Sequence, residues 1–377
     1  MSALEEKRAL LRRLRRVVVK IGSSLLSTRS GLDRERIRAL AADVQASSGN
    51  REFILVTSGA VASGTARLGW RERPRTIPQK QAAAAVGQID LMAFYEEVFA
   101  AAGRHVAQML LTRDDLTNRR RYLNAKHTLM ALLAEQVLPI INENDTVVVD
   151  EIKFGDNDNL SADVAALAEA DLLVILTDVD GLHTGDPTRD VSATRIPLLA
   201  GDDRDADGYA GVSSGGFGTG GMKTKLEAAR KAASAGIATL IADGRQPGAL
   251  VRALDPDVEA GTLVLAPADR MARRKHWIAF TLRPQGTLRI DDGAVHAIRE
   301  GKRSLLPSGV REVEGSFGAG DCVRCVALDG SEIARGLVNY AAAELRKLQG
   351  ANTRDIDRIL GYKVSDEVIH RDDLVIL

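Results

Sequence analysis

The most constraining feature of the chain is an alternation between short apolar runs and longer alanine-rich stretches, which continues from Val17 to about Leu265. Runs rich in valine, isoleucine and leucine predict strands, and stretches with apolar residues three and four positions apart predict helices. Because most runs are continuously apolar, the strands should be buried on both faces. The alternation therefore predicts an α/β domain, a three-layer αβα sandwich around a mostly parallel sheet.

The apolar pattern also fixes approximate bounds for these elements. The predicted strands are Val17–Ile21, Phe53–Thr57, His105–Leu111, Val137–Ile141, Leu172–Thr177 and Ala238–Ala242. The predicted helices are Asp33–Ala46, Lys80–Ala101, Tyr122–Glu135, Leu160–Ala170 and Lys225–Ala235. In open parallel sheets, ligands bind at the carboxyl ends of the strands. The polar segments that follow the predicted strands are therefore where we expect the site.

The pattern changes after Leu265, where a polar segment is followed by short strands and glycine turns. The strands predicted there are Thr287–Ile290, Cys322–Ala327 and Ile333–Leu337. We therefore expect a small β-rich second domain. The predicted division is an N-terminal extension over 1–16, a catalytic domain over 17–265, a linker over 266–282, the β-rich domain over 283–361 and a C-terminal tail over 362–377.

Charge and composition exclude several classes of function. Basic and acidic residues number 51 each, so the formal net charge is zero and gives no general attraction to nucleic acid. No apolar run approaches the ~20 residues of a membrane span. The start of the chain carries both signs of charge and no apolar stretch typical of a signal peptide. We expect a cytoplasmic protein with no membrane partner.

The two cysteines, Cys322 and Cys325, form a C-x-x-C pattern that can indicate a zinc or redox site. They fall within a predicted strand, where side chains three positions apart point to opposite faces. They should therefore not share a metal. The six histidines are scattered, so no histidine cluster has the spacing of metal ligands.

Two lysines lie where predicted strands and glycine-rich turns meet. Lys20 precedes Ile21-Gly22-Ser23-Ser24, and Lys225 ends the motif Gly218-Thr219-Gly220-Gly221-Met222-Lys223-Thr224-Lys225. Glycine turns let backbone N–H groups approach phosphate oxygens, and a helix that begins just afterwards adds positive potential. The pair indicates phosphoryl transfer, although the spacing of a P-loop is missing. Taken singly, either lysine is as easily an ordinary surface residue beside a turn.

Four polar segments lie at or after the ends of predicted strands. Ser58-Gly59 could bind an anion, although an N-cap is the commoner use of such a serine. Asn142–Asp145 and Asp156–Asn159 together hold four amides and four acids, which favours a site for a polar, zwitterionic ligand over turn formation alone. Thr177-Asp178 is compatible with a nucleotide ribose or a metal, and equally with a simple turn.

Five stretches carry a family resemblance: Val56–Ala60, Gln108–Thr112, Ile141–Asp145, Gly155–Ala162 and Gly218–Lys225. In this order they closely resemble the amino acid kinase family, and the β-rich part is similar to a PUA domain, a pseudo-barrel often found in RNA-modifying enzymes. The resemblance implies an αβα sandwich that uses ATP and Mg²⁺. Within the family it is similar to members that phosphorylate the side-chain carboxylate of L-glutamate on the path to proline.

The resemblance also implies roles for particular residues. Lys20 and Lys225 would contact the transferred γ-phosphoryl group, and Asp158 would hold both lysines. The positions that match substrate-binding residues are Ser58, Gly59, Asp145 and Asn157. The positions that match nucleotide-binding segments are Lys20, Thr177, Asp178, Thr219, Gly220, Gly221, Met222, Lys223, Thr224 and Lys225. No side chain is assigned to a metal ion.

Two other interpretations stay open. One is a family member that acts on aspartate, acetylglutamate or carbamate, and the other is an RNA-binding regulator with an inactive kinase fold. From His276 to Leu377, 14 lysines and arginines face 15 acidic residues, a net charge of −1. Since phosphate affinity comes mainly from cationic contacts, RNA binding by the PUA-like part is doubtful. The resemblance further implies a homo-oligomer that is inhibited by proline.

Overall fold

The computed structural model describes residues 2–28, 31–147, 157–185, 190, 192–201, 203, 206–209, 221–266, 284–301 and 303–377. The chain divides into two compact units, each with its own hydrophobic core. The larger unit comprises Met1–Leu116 and Ala125–Ala268, and the smaller comprises Thr117–Asn124 and Asp269–Leu377. In the described part of the chain, no helix has both the length and the apolar character needed to cross a bilayer.

The larger unit contains an eight-stranded sheet in the order β5-β6-β4-β1-β7-β9-β10-β8. Its strands are β1 (Arg16–Ile21), β4 (Glu52–Val56), β5 (Val106–Leu111), β6 (Leu138–Glu143), β7 (Leu172–Thr177), β8 (Leu198–Ala200), β9 (Ala238–Asp243) and β10 (Thr262–Leu265). A short hairpin of β2 (Ser27–Thr28) and β3 (Gly31–Leu32) lies apart. Every pair in the large sheet is parallel except β9 with β10.

These pairings confirm the predicted α/β fold and all six predicted strands. The sequence analysis missed β8 and β10, because strands of three and four residues are too short to show a pattern. The central strand β1 is buried over Val17–Ile21, as the continuous apolar run predicts.

Helices cover both faces of the large sheet. They are α1 (Ala3–Leu11), α2 (Ser23–Leu26), α3 (Arg34–Ser48), α4 (Ala60–Arg67), α5 (Ile77–Ala100), α6 (Arg113–Thr117), α7 (Arg119–Ala134), α8 (Asn157–Leu167), α9 (Ala206–Tyr209), α10 (Met222–Ser234) and α11 (Ala249–Ala253). Four of the five predicted helices begin three residues earlier than their apolar pattern indicates. Polar residues fill a first helical turn because they satisfy its free N–H groups. Asn157, Asp158 and Lys225 therefore lie in first turns of helices.

Helix α1 occupies the predicted N-terminal extension and begins with a capping box between Ser2 and Glu5. Lys7 of this helix is buried, and its Nζ donates to the carbonyl oxygen of Val258 at 2.6 Å. Arg8 forms a surface ion pair with Asp257 at 2.8 Å. The extension is thus a helix packed on the larger unit.

Helices α4 and α5 pack unusually closely. A Cβ atom on Gly64 would lie 1.7 Å from the carbonyl oxygen of Ala83, and one on Gly87 would lie 1.9 Å from that of Ala60. Only glycine fits at these two positions without displacement of the backbone. The contact holds α5 against the beginning of α4, which follows β4 at the carboxyl edge of the sheet.

The smaller unit contains a five-stranded sheet in the order β12-β11-β13-β14-β15. Its elements are β11 (Gly286–Ile290), α12 (Asp292–Arg299), β12 (Val310–Gly315), β13 (Cys322–Ala327), β14 (Glu332–Leu337), α13 (Ala342–Leu348), α14 (Ile356–Leu360) and β15 (Leu374–Ile376). The predicted β-rich domain is confirmed. Strand β15 is formed from the predicted C-terminal tail and pairs with β14.

The two cysteines lie on opposite faces of β13, as predicted. Cys325 packs in the main core of the smaller unit, whereas Cys322 packs with Leu337 and Val375. Neither cysteine forms a disulfide bond, and burial raises the pKa of the Cys325 thiol to about 12. The pair is therefore structural, because a buried neutral thiol is a poor nucleophile and a poor metal ligand.

Candidate active site

A cavity of about 940 Å³ opens at the carboxyl edge of the large sheet. Strands β1, β4, β6 and β7 end there, and the helices α4, α8 and α10 begin there. The predicted site residues that line this cavity are Lys20, Ser58, Gly59, Asp145, Asn157, Thr177, Asp178 and Lys225. Residues from distant parts of the sequence therefore meet at one edge, as the parallel topology requires.

A buried cluster of three charges forms one end of the site. Nζ of Lys20 lies 2.5 Å from Oδ1 of Asp158, and Nζ of Lys225 lies 3.2 Å from Oδ2. Thr224 Oγ1 donates to the same Oδ2 at 2.7 Å. The three charged residues are at most 5% exposed. Two lysines thus share one carboxylate, which leaves a positive excess facing the cavity.

The charges in this cluster shift the pKa values of Asp158 and Lys225. Burial alone would raise the pKa of Asp158, but the charges of Lys20 and Lys225 outweigh it and hold that pKa well below its usual range. Burial and the charge of Lys20 lower the pKa of Lys225, although Asp158 opposes the shift. Asp158 is therefore ionised at neutral pH and acts as the counter-ion of the two lysines.

Three secondary elements bring these charges together. Lys20 lies near the end of β1, Asp158 is the second residue of α8, and Lys225 is the fourth residue of α10. The first turns of α8 and α10 also direct free backbone N–H groups toward this edge. An anion in the cavity would meet both the lysines and these N–H groups.

Neutral side chains form the other end of the site. Asn157 Nδ2 donates to the carbonyl oxygen of Thr57 at 2.7 Å and lies 2.8 Å from Ser58 Oγ. Gly59 has a φ of 104°, a left-handed conformation that other residues rarely adopt, and α4 begins at the next residue. The left-handed glycine turns the chain so that Ser58 faces Asn157.

Two further side-chain amides, those of Asn142 and Gln88, extend the neutral end of the site through hydrogen bonds. Asn142 Oδ1 lies 3.2 Å from Asn157 Nδ2, and Asn142 Nδ2 donates to Gln88 Oε1 at 2.8 Å. The sequence analysis placed Asn142 in a polar loop but gave it no role, and it missed Gln88 altogether. Leu91 and Tyr95 are fully buried and mark the inward face of α5. A polar residue on this face is the only sequence signal for Gln88.

Asp145 lies in the turn after β6 and is half-buried at the wall of the cavity. Burial raises the pKa of its carboxyl group to about 6. Among the described residues no cation lowers this pKa, and a buried carboxylate of this kind suits a positively charged ligand. The position next to the amides suits an ammonium group.

The predicted nucleotide-binding residues are only partly brought together. Thr177 Oγ1 donates to Asp178 at 3.1 Å at the end of β7. Met222 packs toward the small core around Leu182, and Lys223 is exposed, so neither side chain lines the cavity. Gly221 immediately precedes α10, while Thr219 and Gly220 lie outside the described residues.

Four further cavity residues near Lys20 and Asp178 received no individual role in the sequence analysis: Arg245, and Gly22, Ser23 and Ser24, which it named only as the turn after Lys20. Gly22 donates its N–H to the carbonyl oxygen of Leu176, which joins the turn after β1 to β7. Glycine and serine after a strand are too common for their pattern alone to indicate a ligand.

The described part of the chain contains no group of three or more histidine, cysteine, aspartate or glutamate side chains that could hold a metal ion. Both oxygens of Asp158 are within contact distance of lysines. These described residues therefore form no metal cage of their own.

Positive charge at one end of the cavity and directional hydrogen bonds at the other are the features of a site that transfers a phosphoryl group to a small polar acceptor. The sequence profile of the amino acid kinase family matches residues 15–243, and that of the PUA domain matches residues 286–360. The chain therefore belongs to the amino acid kinase family, in the branch of the glutamate 5-kinases, whose curated members resemble it along nearly its whole length.

Three of these relatives illustrate the similarity. The glutamate 5-kinase of Geobacter sp. (strain M21) is 51% identical over 98% of this chain and 100% of its own. That of Myxococcus xanthus is 50% identical over 100% of both chains. That of Geobacter metallireducens is 53% identical over 98% of this chain and 99% of its own. The family assignment thus covers both compact units.

Proposed function

We propose that this protein transfers the γ-phosphoryl group of ATP to the side-chain carboxylate of L-glutamate, which gives L-glutamyl 5-phosphate and ADP. The observation that carries the proposal is the buried Lys20–Asp158–Lys225 cluster at one end of a cavity whose other end holds Ser58 and Asn157. Full-length identity of about half to curated glutamate 5-kinases supports the choice of substrate.

The chemistry requires little acid–base catalysis. The side-chain carboxylate of glutamate has an ordinary pKa of about 4.3, so the nucleophile is already ionised at neutral pH. The difficulty is that two anions must approach each other. Lys20 and Lys225 reduce this repulsion, and their positive charge stabilises the negative charge on the transferred phosphoryl group. The mechanism needs no histidine base, and none is among the described residues that line the cavity.

Asp158 orients both lysines. Its carboxylate lies between the two Nζ atoms, so it holds them at a fixed separation and keeps them from turning toward solvent. Because Asp158 is already the counter-ion of the lysines, it is unsuited to act as a general base. Preorganised charge of this kind needs no rearrangement when the transition state forms.

ATP would be used as its Mg²⁺ complex, and the metal would neutralise part of the phosphate charge. We place the nucleotide against Thr177, Asp178 and the beginning of α10, which includes Lys225. We place glutamate with its side-chain carboxylate toward the lysines. Its ammonium group then reaches Asp145 and Asn157 at the amide end, and Ser58 with the N–H of Gly59 faces a carboxylate.

The C-terminal domain has a regulatory or assembly role in this proposal. Residues 283–361 would form a PUA domain joined through a linker to a catalytic domain over 17–265, and the enzyme would be a cytoplasmic homo-oligomer inhibited by proline. The separate cores of the two units support the division. The net charge of −1 from His276 to Leu377 argues against RNA as the main ligand.

Truncation after Ala272 tests this division. The truncated protein should stay folded and keep its glutamate-dependent turnover, because every proposed catalytic residue precedes the cut. Its inhibition by proline, Mg²⁺ requirement or association state should change. A folded but inactive product would contradict the modular division. Micromolar binding of structured RNA by the full-length protein at physiological salt, lost on truncation, would contradict the regulatory role.

The activity is tested by ADP release together with hydroxylamine trapping, which converts an acylphosphate into a stable hydroxamate. Glutamate should give ATP-dependent hydroxamate, and aspartate, N-acetylglutamate and carbamate should give little. Lys231→Ala, a surface change on α10, is the matched control for Lys225→Ala. Preference for another acceptor would identify a different activity of the family. If none of the four acceptors gave ATP-dependent product, the kinase fold would be inactive.

A further inference from the structure

Helix α5 contributes two polar side chains to the underside of the proposed glutamate site. Gln88 and Tyr95 are seven residues apart, which places them on the same helix face two turns apart. Gln88 Oε1 accepts from Asn142 at the end of β6, and the Tyr95 hydroxyl lies 2.9 Å from Thr57 Oγ1 at the end of β4. One helix therefore contacts both strands that present the amide end of the cavity.

The amides of Asn157, Asn142 and Gln88 form a hydrogen-bonded chain with a single direction. The carbonyl oxygen of Thr57 can only accept, so the atom of Asn157 beside it must be the NH₂ group. That NH₂ group in turn requires the carbonyl oxygen of Asn142 to face it, at 3.2 Å. Asn142 then has only its own NH₂ group left for Gln88, whose Oε1 accepts it at 2.8 Å.

This direction leaves one acceptor at the cavity. Asn157 Oδ1 is buried and has no hydrogen-bond partner among the described residues. A buried acceptor without a partner is costly, and in binding sites such an atom usually awaits a ligand. In zwitterionic glutamate both carboxylates only accept, whereas the ammonium group is the sole donor. The free oxygen of Asn157 thus suits the ammonium group.

We propose that Gln88 is a positioning residue that recognises glutamate indirectly: the carbonyl oxygen of Thr57 sets the direction of the amide chain, and Gln88, by accepting from Asn142, holds Asn142 Oδ1 against Asn157 Nδ2, so that Asn157 Oδ1 stays toward the substrate ammonium. The inference rests on the proposed use of glutamate as the acceptor. Gln88 does not line the cavity, so it has no direct contact with substrate. The packing of Gly87 against Ala60 fixes α5 at the distance from which Gln88 reaches Asn142.

Two substitutions of equal length separate this role from packing. Gln88→Met keeps the volume but removes the acceptor, so Asn142 is free to rotate. We expect KM for glutamate to rise about three- to tenfold, the scale of one neutral hydrogen bond, with kcat and KM for ATP within twofold of the wild type. Gln88→Glu retains an acceptor oxygen toward Asn142 and should restore KM to within about twofold.

A double-variant cycle tests whether Gln88 acts through Asn142. If it does, Gln88→Met should add less than twofold to KM for glutamate in an Asn142→Ala background, because the intermediate amide is already lost. Independent effects would multiply instead. Glu96→Met, an exposed change on the same helix, controls for the loss of a polar side chain and should behave as the wild type.

The outcomes distinguish the two proposals. Glutamate-dependent hydroxamate from the wild type together with a selective, non-additive rise in KM in Gln88→Met supports the positioning role. Unchanged KM, a multiplicative double variant, or parallel changes in kcat and both KM values with a lower melting temperature would overturn it while the proposed function stands. No reaction of the wild type with glutamate would refute the proposed function, and the role of Gln88 would fall with it.

Discussion

The two ends of the cavity use adjacent residues in opposite ways. Asp158 joins two buried lysines at distances of 2.5 and 3.2 Å, whereas Asn157, one position earlier on α8, joins only neutral groups. The charged end should provide the rate acceleration, because fixed charge in a dry site stabilises a charged transition state. The amide end should provide selectivity, because directional hydrogen bonds reject ligands that leave them unpaired.

The two ends also differ in whether a group can lose one counter-ion or hydrogen-bond partner and keep another. At the charged end, removal of Asp158 leaves two buried lysines without their shared counter-ion, and removal of either lysine takes away the positive excess that faces the cavity. Asn157 Nδ2 has two hydrogens and three acceptors within reach, so one acceptor can be lost without leaving a donor unpaired. Substitutions at the charged end should therefore have the larger effects.

Asp158→Asn should have the largest effect, because it leaves both lysines without their shared counter-ion. The free energy of unfolding should fall by about 3–5 kcal/mol if both lysines stay charged. Chemical denaturation measures this change. Asp163→Asn is the control on the same helix, since Asp163 pairs with Lys231 near the surface and should contribute less than about 1 kcal/mol. Equal losses for the two variants would remove the distinction between buried and surface pairs.

Lys225→Ala should lower kcat about 10²- to 10³-fold, the scale for loss of one preorganised charge at a transition state, with a much smaller change in KM for glutamate. Lys20→Ala should behave alike. Steady-state kinetics with saturating MgATP measures both variants, and circular dichroism checks their folding. A folded Lys225→Ala variant with nearly normal kcat would remove this lysine from the catalytic machinery.

Asp145→Asn should lower kcat/KM for glutamate about ten- to a hundredfold, because one charge-assisted hydrogen bond to the ammonium group contributes on the order of 1.5–3 kcal/mol. The affinity for ATP should hardly change. Glutamate and ATP titrations of the same variant measure the two effects. Equal losses for both substrates would indicate collapse of the loop after β6 and not the loss of a specific contact.

The pH dependence of kcat/KM for glutamate should report the protonation of the Asp145 carboxylate. Since burial raises the pKa of Asp145 to about 6, kcat/KM for glutamate should fall below pH 6, approaching tenfold per pH unit as the carboxylate is protonated. The effect of Asp145 on folding has the opposite sign, because its protonated form is favoured in the folded state and that stabilisation is lost as the pH rises to about 6. Asp145→Asn should lack the acidic limb of the activity profile.

The charged residues were easier to pick out in the sequence than the amide chain, for a physical reason. Lysines and aspartates beside glycine turns are conspicuous, and parallel strands bring such turns to one edge of a sheet. Gln88 lies in the middle of a long helix and reaches the site only because Gly87 lets α5 approach Ala60. A pattern of residue types shows which side chains are polar, but not how closely two helices pack.

The same limit explains the differences in the fold. Apolar periodicity predicted the six longer strands, whereas β8 and β10 have too few residues to show a period. Helix beginnings were placed late because their first turns are polar. That error matters for the site at α8, since it conceals the fact that Asp158 lies in a first helical turn, where free N–H groups reinforce the lysines.

The smallest effect should come from Ser58→Ala, and it tests the redundancy of the amide end. Asn157 Nδ2 keeps the carbonyl oxygen of Thr57 and Oδ1 of Asn142 as acceptors for its two hydrogens, so the amide chain should persist. Only the hydrogen bond from the Ser58 hydroxyl to substrate is lost, and kcat/KM for glutamate should fall about two- to tenfold. Steady-state kinetics measures the change, with KM for ATP as the internal control. A loss of a thousandfold would mean that the hydroxyl takes part in the chemistry, and the division between a catalytic charged end and a selective amide end would then fail.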